Sequence, residues 1–248
     1  MKAIAILAQA AIAVLALACA GSLAQAADPV QGVNYFLIDP PQPYLAPNGK
    51  VEVTEVFSYG CPACNRFYPY MDQLRQKLPR NVVLDYVPAS FSPAEDWPMF
   101  QRAYFTAQIL GVAQRAHDAM FDAVWKTGQL AVVEQQSGRI KSPAPTIQDA
   151  ARFYALTTGV NQQRFLETAM SFGVDVKIRQ AEQTMRAWQI DQTPTMIVDG
   201  KYRITLQSAG GDQQLIDVTR WVIAKETPAA APSAGATPNL SVKEHERR

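Results

Sequence analysis

The sequence predicts an α/β protein in which two halves of one sheet are separated by a long helical block. Three observations carry this reading. A strand, helix and strand surround Cys61 and Cys64 in the first half; the β signal nearly disappears between Ser92 and Trp188; and a tight hairpin followed by one more helix comes after the block.

Taken in order, Val33 to Ile38 reads as a short strand at a sheet edge, followed by a proline-punctuated connection to Pro47. Val51 to Ser58 is apolar enough to be covered on both faces, which suits an interior parallel position, with Glu55 standing inside it. Beyond the cysteines, Phe67, Tyr70, Met71, Leu74 and Leu78 recur at helical spacing until Pro79 ends the pattern. Asn81 to Ala89 is the next strand. Strand, helix and strand at this spacing form a βαβ unit, which joins parallel strands by a right-handed crossover.

Amphipathic helices are expected at Trp97 to Leu110, Gln114 to Thr127, Thr146 to Thr157, Asn161 to Phe172 and Val174 to Trp188, with a break at Ser142-Pro143-Ala144-Pro145. Thr195 to Val198 and Tyr202 to Leu206 flank Asp199-Gly200-Lys201, a hairpin signal, and Asp212 to Lys225 is a closing helix. A βαβ half, a helical block and a ββα half in that order make a thioredoxin fold with an inserted helical domain. The divisions expected are a signal peptide at 1–26, the N-terminal half of the fold at 27–91, the helical insertion at 92–188, the C-terminal half at 189–226 and a disordered tail at 227–248. That tail is rich in Ala, Pro, Ser and Thr and ends in a charged run, too poor in apolar area to order itself.

The chain has 248 residues, 48% of them hydrophobic, enough for a substantial core. A net charge of +1 with mixed signs gives no basic field for nucleic acid and no polybasic membrane signal. Lys2, the Ala/Ile/Leu-rich run to Ala20 and Ala24-Gln25-Ala26 read as a secretory signal with its cleavage site. Cleavage there leaves Cys61 and Cys64 as the only thiols. Cys19 raises the alternative of a lipoprotein signal, disfavoured because Ala16-Leu17-Ala18 lacks the usual leucine three residues before the cysteine. No later run is long and apolar enough to span a membrane.

Two thiols three residues apart at the start of a helix, in an oxidising compartment, point to a redox-active disulfide. Cys61 lies over backbone N–H groups without intrahelical partners, at the positive end of the helix dipole, so its thiolate is favoured and it is the attacking sulfur. Pro62 falls where a missing N–H costs nothing. Cys64, one turn deeper, is the resolving thiol. A structural pair or half of a metal site is the alternative, but zinc needs four ligands and only His117 and His245 remain as soft candidates. Asn65 after Cys64 removes the haem-attachment pattern. No cofactor beyond the cysteine pair and no metal is expected. His117 is assigned to the polar, solvated face of its helix, and the aromatics Phe67, Tyr68, Trp97, Phe100, Tyr104 and Phe105 mostly to the core.

With these residues in place the chain, from about Tyr35 to Lys225, resembles the DsbA family of periplasmic thiol:disulfide oxidoreductases. The resemblance rests on Val56-Phe57-Ser58 before Cys61-Pro62-Ala63-Cys64, on Leu110-Gly111-Val112 in the helical block, and on Thr193-Pro194-Thr195 before Val198-Asp199-Gly200-Lys201-Tyr202. It implies that Pro194 is cis and packs opposite the cysteines, and that the backbone of Thr193 pairs with a bound client strand. Tyr59, Pro62 and Ala63 are the other candidates for client contact, Tyr59 as a rim of the groove. Glu55 matches the family's buried acid, a proton acceptor for the deeper thiol. Two positions depart from the pattern. Ala63 stands where better-known members carry histidine, which implies a milder oxidant, and Tyr86 stands near where they place a lysine partner for the acid.

The resemblance implies an enzyme that donates the Cys61–Cys64 disulfide to reduced, unfolded secreted proteins through a mixed disulfide on Cys61. A DsbB-like, quinone-linked membrane oxidase would reoxidise it, and a monomer is expected. The alternatives are a disulfide isomerase or reductase, disfavoured because the segment before Val51 is too short for a dimerisation domain, and a non-catalytic chaperone or metal-binding module.

Overall fold

A computed structural model describes residues 27–43, 49–134 and 136–227. The signal segment with Cys19, His245 and the tail beyond Thr227 lie outside the described residues.

Strand β1 (Phe36–Leu37) is shorter than expected, because the residues before it close a turn: Asn34 N–H donates to Val30 O at 2.8 Å, Val30 N–H donates to Asn34 Oδ1 at 2.9 Å, and Gly32 takes a positive φ. Strand β2 (Val51–Phe57) is buried along its whole length. It runs parallel to β3 (Val82–Pro88) and antiparallel to β4 (Thr195–Val198), which pairs with β5 (Tyr202–Thr205). Among the described residues the sheet order is β1-β5-β4-β2-β3, so β1 is an edge and β2 is interior, as their sequences suggested.

Helix α1 (Pro62–Lys77) starts directly on the cysteine pair and buries Cys64, Phe67, Met71 and Leu74. It stops where Leu78 turns extended ahead of Pro79. After β3 a 3-10 turn (Pro93–Glu95) leads into the helical insertion: α2 (Trp97–Ile109), α3 (Ala113–Trp125), α4 (Ile147–Thr158), α5 (Gln162–Ala169) and α6 (Phe172–Ala187). The boundaries that moved are set by caps. Thr146, expected as the first residue of α4, is its N-cap and forms a capping box with Asp149; Ser171 caps α6 through Val174 N–H and so ends α5 early.

Hairpin β4–β5 turns at Asp199 and Gly200, both at positive φ, with Lys201 N–H donating to Val198 O at 2.9 Å, the geometry that matches strand twist. Glycine is needed at 200 for a second reason: a Cβ there would lie 2.1 Å from Gln42 O. Leu206 leaves β5 and opens the one-turn helix α7 (Leu206–Ala209), capped by Thr205, and α8 (Asp212–Glu226) closes the fold. Helix α8 packs on β2, β4, β5 and α1, whereas α2 to α6 pack mainly on one another, with α2 also touching β3. The two regions share one apolar core, in which Phe57 and Tyr59 meet Tyr104 and Phe121.

Candidate active site

The chain leaves β2 at Phe57 and turns at once into α1, which fixes the first thiol at the helix end. Cys61 N–H donates to Ser58 O at 3.1 Å and Gly60 N–H to Ser58 Oγ at 3.2 Å. Gly60 lies against the indole of Trp97, so close that a Cβ would stand 2.7 Å from Nε1. Trp125 grips the same turn from α3, its Nε1–H donating to Tyr59 O at 2.8 Å.

Cys61 is the N-cap of α1, and its Sγ accepts Cys64 N–H at 3.3 Å, the role a serine hydroxyl fills at ordinary helix starts. Sγ also lies 3.5 Å from Thr193 O. Both cysteines are free, buried thiols; Cys61 keeps an opening of 5% and Cys64 none. The Cys64 thiol as donor, then the side chain of Thr193 and the backbone N–H groups of Cys64 and Ala63, together outweigh burial and lower the Cys61 thiol from 9.0 to about 6. Cys64 is pushed the other way, by burial first, then by its bond to Cys61 and the negative charge of Cys61 and Glu55.

Glu55 is 1% exposed and its Oε1 has no hydrogen-bond partner, so it is a buried acid. Burial, reinforced by the charge of Cys61 and opposed by Arg75, raises its carboxyl from 4.5 to about 8. Across the parallel pair its register partner is Tyr86. The Thr193–Pro194 peptide is cis, Pro194 is buried, and Thr193 is half-buried beside Cys61. Pro62 is exposed and Ala63 half-buried, next to the sulfur.

Two expectations are overturned. Tyr59 does not rim a groove: it is fully buried, its ring packed on Phe57 and Phe121 and its hydroxyl 2.9 Å from His117 Nδ1. His117 is not a solvated surface group but lies 3% exposed among Phe57, Tyr86 and Phe121, and burial lowers its imidazole from 6.5 to about 3. The gripping roles of Trp97 and Trp125 left no trace in the sequence beyond their apolar spacing. Among the described residues no group of three or more His, Cys, Asp or Glu side chains could hold a metal ion.

A nucleophilic thiol held at a helix N-terminus above a shielded partner, on a thioredoxin fold, defines a thiol:disulfide oxidoreductase. The thioredoxin family matches residues 46–218. The chain is 36% identical over 219 residues to the thiol:disulfide interchange protein DsbA of Pseudomonas syringae pv. tomato, covering 88% of this chain and 94% of that one. It is 34% identical over 210 residues to the DsbA of Pseudomonas aeruginosa, covering 85% and 92%. Among solved structures, the oxidoreductase DsbA of Xylella fastidiosa superposes with a TM-score of 0.71 at 30% identity, over 81% of this chain and 99% of that one. The crystal structure of Pseudomonas aeruginosa DsbA gives 0.66 at 32%, over 79% and 94%. This chain belongs to the DsbA family and is a protein disulfide oxidoreductase.

Proposed function

We propose that the protein introduces disulfide bonds into reduced, unfolded secreted proteins in the periplasm by giving away its Cys61–Cys64 disulfide. A client thiolate attacks Cys61 Sγ; the Cys61–Cys64 bond breaks and Cys64 leaves, taking a proton from Glu55. A second client thiolate then attacks the client sulfur of the mixed disulfide, and Cys61 departs as a thiolate. The client loses two electrons and the enzyme gains them. The redox group is the cysteine pair itself, with no other cofactor.

The observation that supports the oxidising direction is the cap geometry of Cys61. Donors that stabilise its thiolate stabilise the reduced enzyme, which makes the disulfide readier to leave. In this reading Thr193 pairs its backbone with the client strand, Pro194 packs beside the sulfur under attack, and Pro62 and Ala63 border the client. A DsbB-like, quinone-linked membrane protein restores the disulfide: Cys61 attacks its disulfide, and Cys64, giving its proton to Glu55, resolves the mixed species.

The test is oxidation of a reduced, unfolded secreted protein by stoichiometric oxidised enzyme, with the potential measured against glutathione. Disulfide transfer near one per enzyme is expected, with a potential on the oxidising side of roughly −230 mV. No transfer, with a potential near the roughly −270 mV of a reducing thioredoxin, would overturn the oxidising direction.

A further inference from the structure

A cleft of about 470 Å³ opens beside the active-site turn, between Gly60, the end of α3 and a short hairpin that follows α3. The hairpin is held to α3 and closed on itself. Leu130, fully buried, donates its N–H to Ala123 O at 2.9 Å; Lys141 N–H donates to Val132 O at 2.7 Å and Glu134 N–H to Arg139 O at 2.8 Å, around an antiparallel Val133–Ile140 bridge. Val132 is buried, and Val133 and Trp125 are half-buried, so these walls of the cleft are apolar. Gly60 forms the wall nearest the chemistry, its Cα one peptide, about 3.8 Å, from that of Cys61.

The charged side chains lining the cleft are two carboxylates, the half-buried Glu95 and the exposed Glu134. Each is oriented by a neutral donor: Trp97 Nε1–H donates to Glu95 Oε2 at 3.1 Å, and the Ser137 hydroxyl to Glu134 Oε2 at 2.7 Å. Among the described residues neither forms an ion pair. Of the cations nearby in the chain, Lys126 pairs with Asp122 at 2.7 Å, Arg139 is exposed, and Lys141, in an adjoining hollow that Glu134 also borders, donates to Gly128 O at 3.2 Å. Apolar walls beneath carboxylates without a cation, one residue from the reacting sulfur, match a long side chain with an aliphatic stem and a positive head. Such a side chain lays its stem on apolar surface while the head keeps its charge in water.

We propose that this cleft is a client subsite that takes a lysine or arginine close in sequence to the client's reacting cysteine, with the stem against Val132, Val133 and Trp125 and the head toward Glu95 and Glu134. The proposal rests on the reading above that a client thiolate attacks Cys61, and it leaves the chemistry of that attack as given there. What it adds is a preference among clients. Thr193 aligns a client backbone whatever its sequence, whereas the cleft reads one side chain and repels an acidic one. Glu95 and Glu134 set specificity and take no part in the exchange of sulfurs.

The experiment uses the oxidised full chain and synthetic dithiol peptides that carry lysine, norleucine or glutamate at a single position, moved in turn over the residues on either side of the N-terminal cysteine. Formation of the peptide disulfide is followed by mass after acid quench. Each rate is divided by that of the same peptide with oxidised glutathione, which removes the effect of the varied charge on the peptide's own thiol. At one position or more the lysine peptide is expected to react about fivefold faster than the glutamate peptide, and faster than the norleucine peptide. The advantage should fall below roughly twofold in the Glu95→Gln, Glu134→Gln double variant, and in wild type at about 1 M salt. Glutamine keeps an oxygen for the Trp97 and Ser137 donors, so the walls of the cleft survive the change.

Equal rates for lysine and glutamate at every position, or a lysine advantage that the double variant keeps, would overturn the proposal. A fastest norleucine peptide would make the occupant an apolar side chain and overturn it too. If wild type reduces the peptide disulfides instead of forming them, the oxidising direction fails; the same comparison of rates, run in reverse through the same mixed disulfide, then decides the cleft.

Discussion

The front and the back of one helical turn are opposite electrostatic environments. At the front, Cys61 meets the Cys64 thiol, the Thr193 side chain and unpaired helix N–H groups, all of which favour a negative sulfur. At the back, three residues on, Cys64 is closed to solvent over Glu55, Tyr86 and the neutral His117, and there burial suppresses every charge. The difference teaches that the order of attack need not come from the client. It is set by which side of the turn each sulfur faces: the helix start stabilises a negative Cys61, whereas at Cys64 burial outweighs the backbone bond it receives from Ser58.

The sharpest way to break this comparison is to remove each sulfur in turn. Cys61→Ser is expected to lower disulfide exchange by roughly a thousandfold or more, because no nucleophile remains at the front. Cys64→Ser should keep the first attack and halt there, so that the reduced variant accumulates one mixed disulfide on Cys61, visible by mass after acid quench. Exchange surviving in Cys61→Ser would show that the back can attack, and the two sides would no longer be distinct.

A smaller effect concerns stability at the back. Glu55 has its carboxyl raised from 4.5 to about 8, so between those pH values the unfolded chain has lost a proton that the folded chain keeps, and stability falls as pH rises. His117 has its imidazole depressed from 6.5 to about 3, so the unfolded chain takes up a proton below 6.5 that the folded chain refuses, and stability falls as pH drops. Each shift corresponds to a few kcal/mol, at most about 5, and the two slopes oppose one another between about pH 4.5 and 6.5. Denaturant unfolding of the reduced protein should therefore show Glu55→Gln gaining on wild type from pH 6 to pH 8, and His117→Gln gaining on it from pH 6 down to pH 4. At neutral pH His117→Gln should lose only about 1 kcal/mol, for the bond to Tyr59. A constant difference across pH in both variants would mean that these two groups are not held against their charged forms.

Much of the front was legible in the sequence, and little of the back. Val51 to Phe57, the cysteine pair before a helical repeat, and Asp199-Gly200 between two strands each state their geometry locally, because strand burial, N-capping and a positive-φ turn depend on adjacent residues. His117 could not be read this way. A helical period sends a polar residue outward, but α3 is surrounded by α1, α2 and α4 and buries Ala113, Ala116, His117, Met120, Phe121, Ala123 and Val124, leaving only a narrow solvated face. Tyr59 was misplaced for the same reason: its partners, His117 and Trp125, are about sixty residues away in sequence, and nothing near it marks the direction of its ring. The extents of β1 and α5 were misjudged where short side-chain bonds from Asn34 and Ser171 compete with the regular pattern.

The most direct measurement is alkylation of the reduced wild-type protein with iodoacetamide from pH 4 to 10, quenched early and mapped by peptide. The expected result is labelling of Cys61 that rises with an apparent pKa of about 6, while Cys64 stays unlabelled until well above its ordinary 9.0. Labelling of Cys61 that rises only near 9, or Cys64 reacting first, would contradict the division between the two sides of the turn.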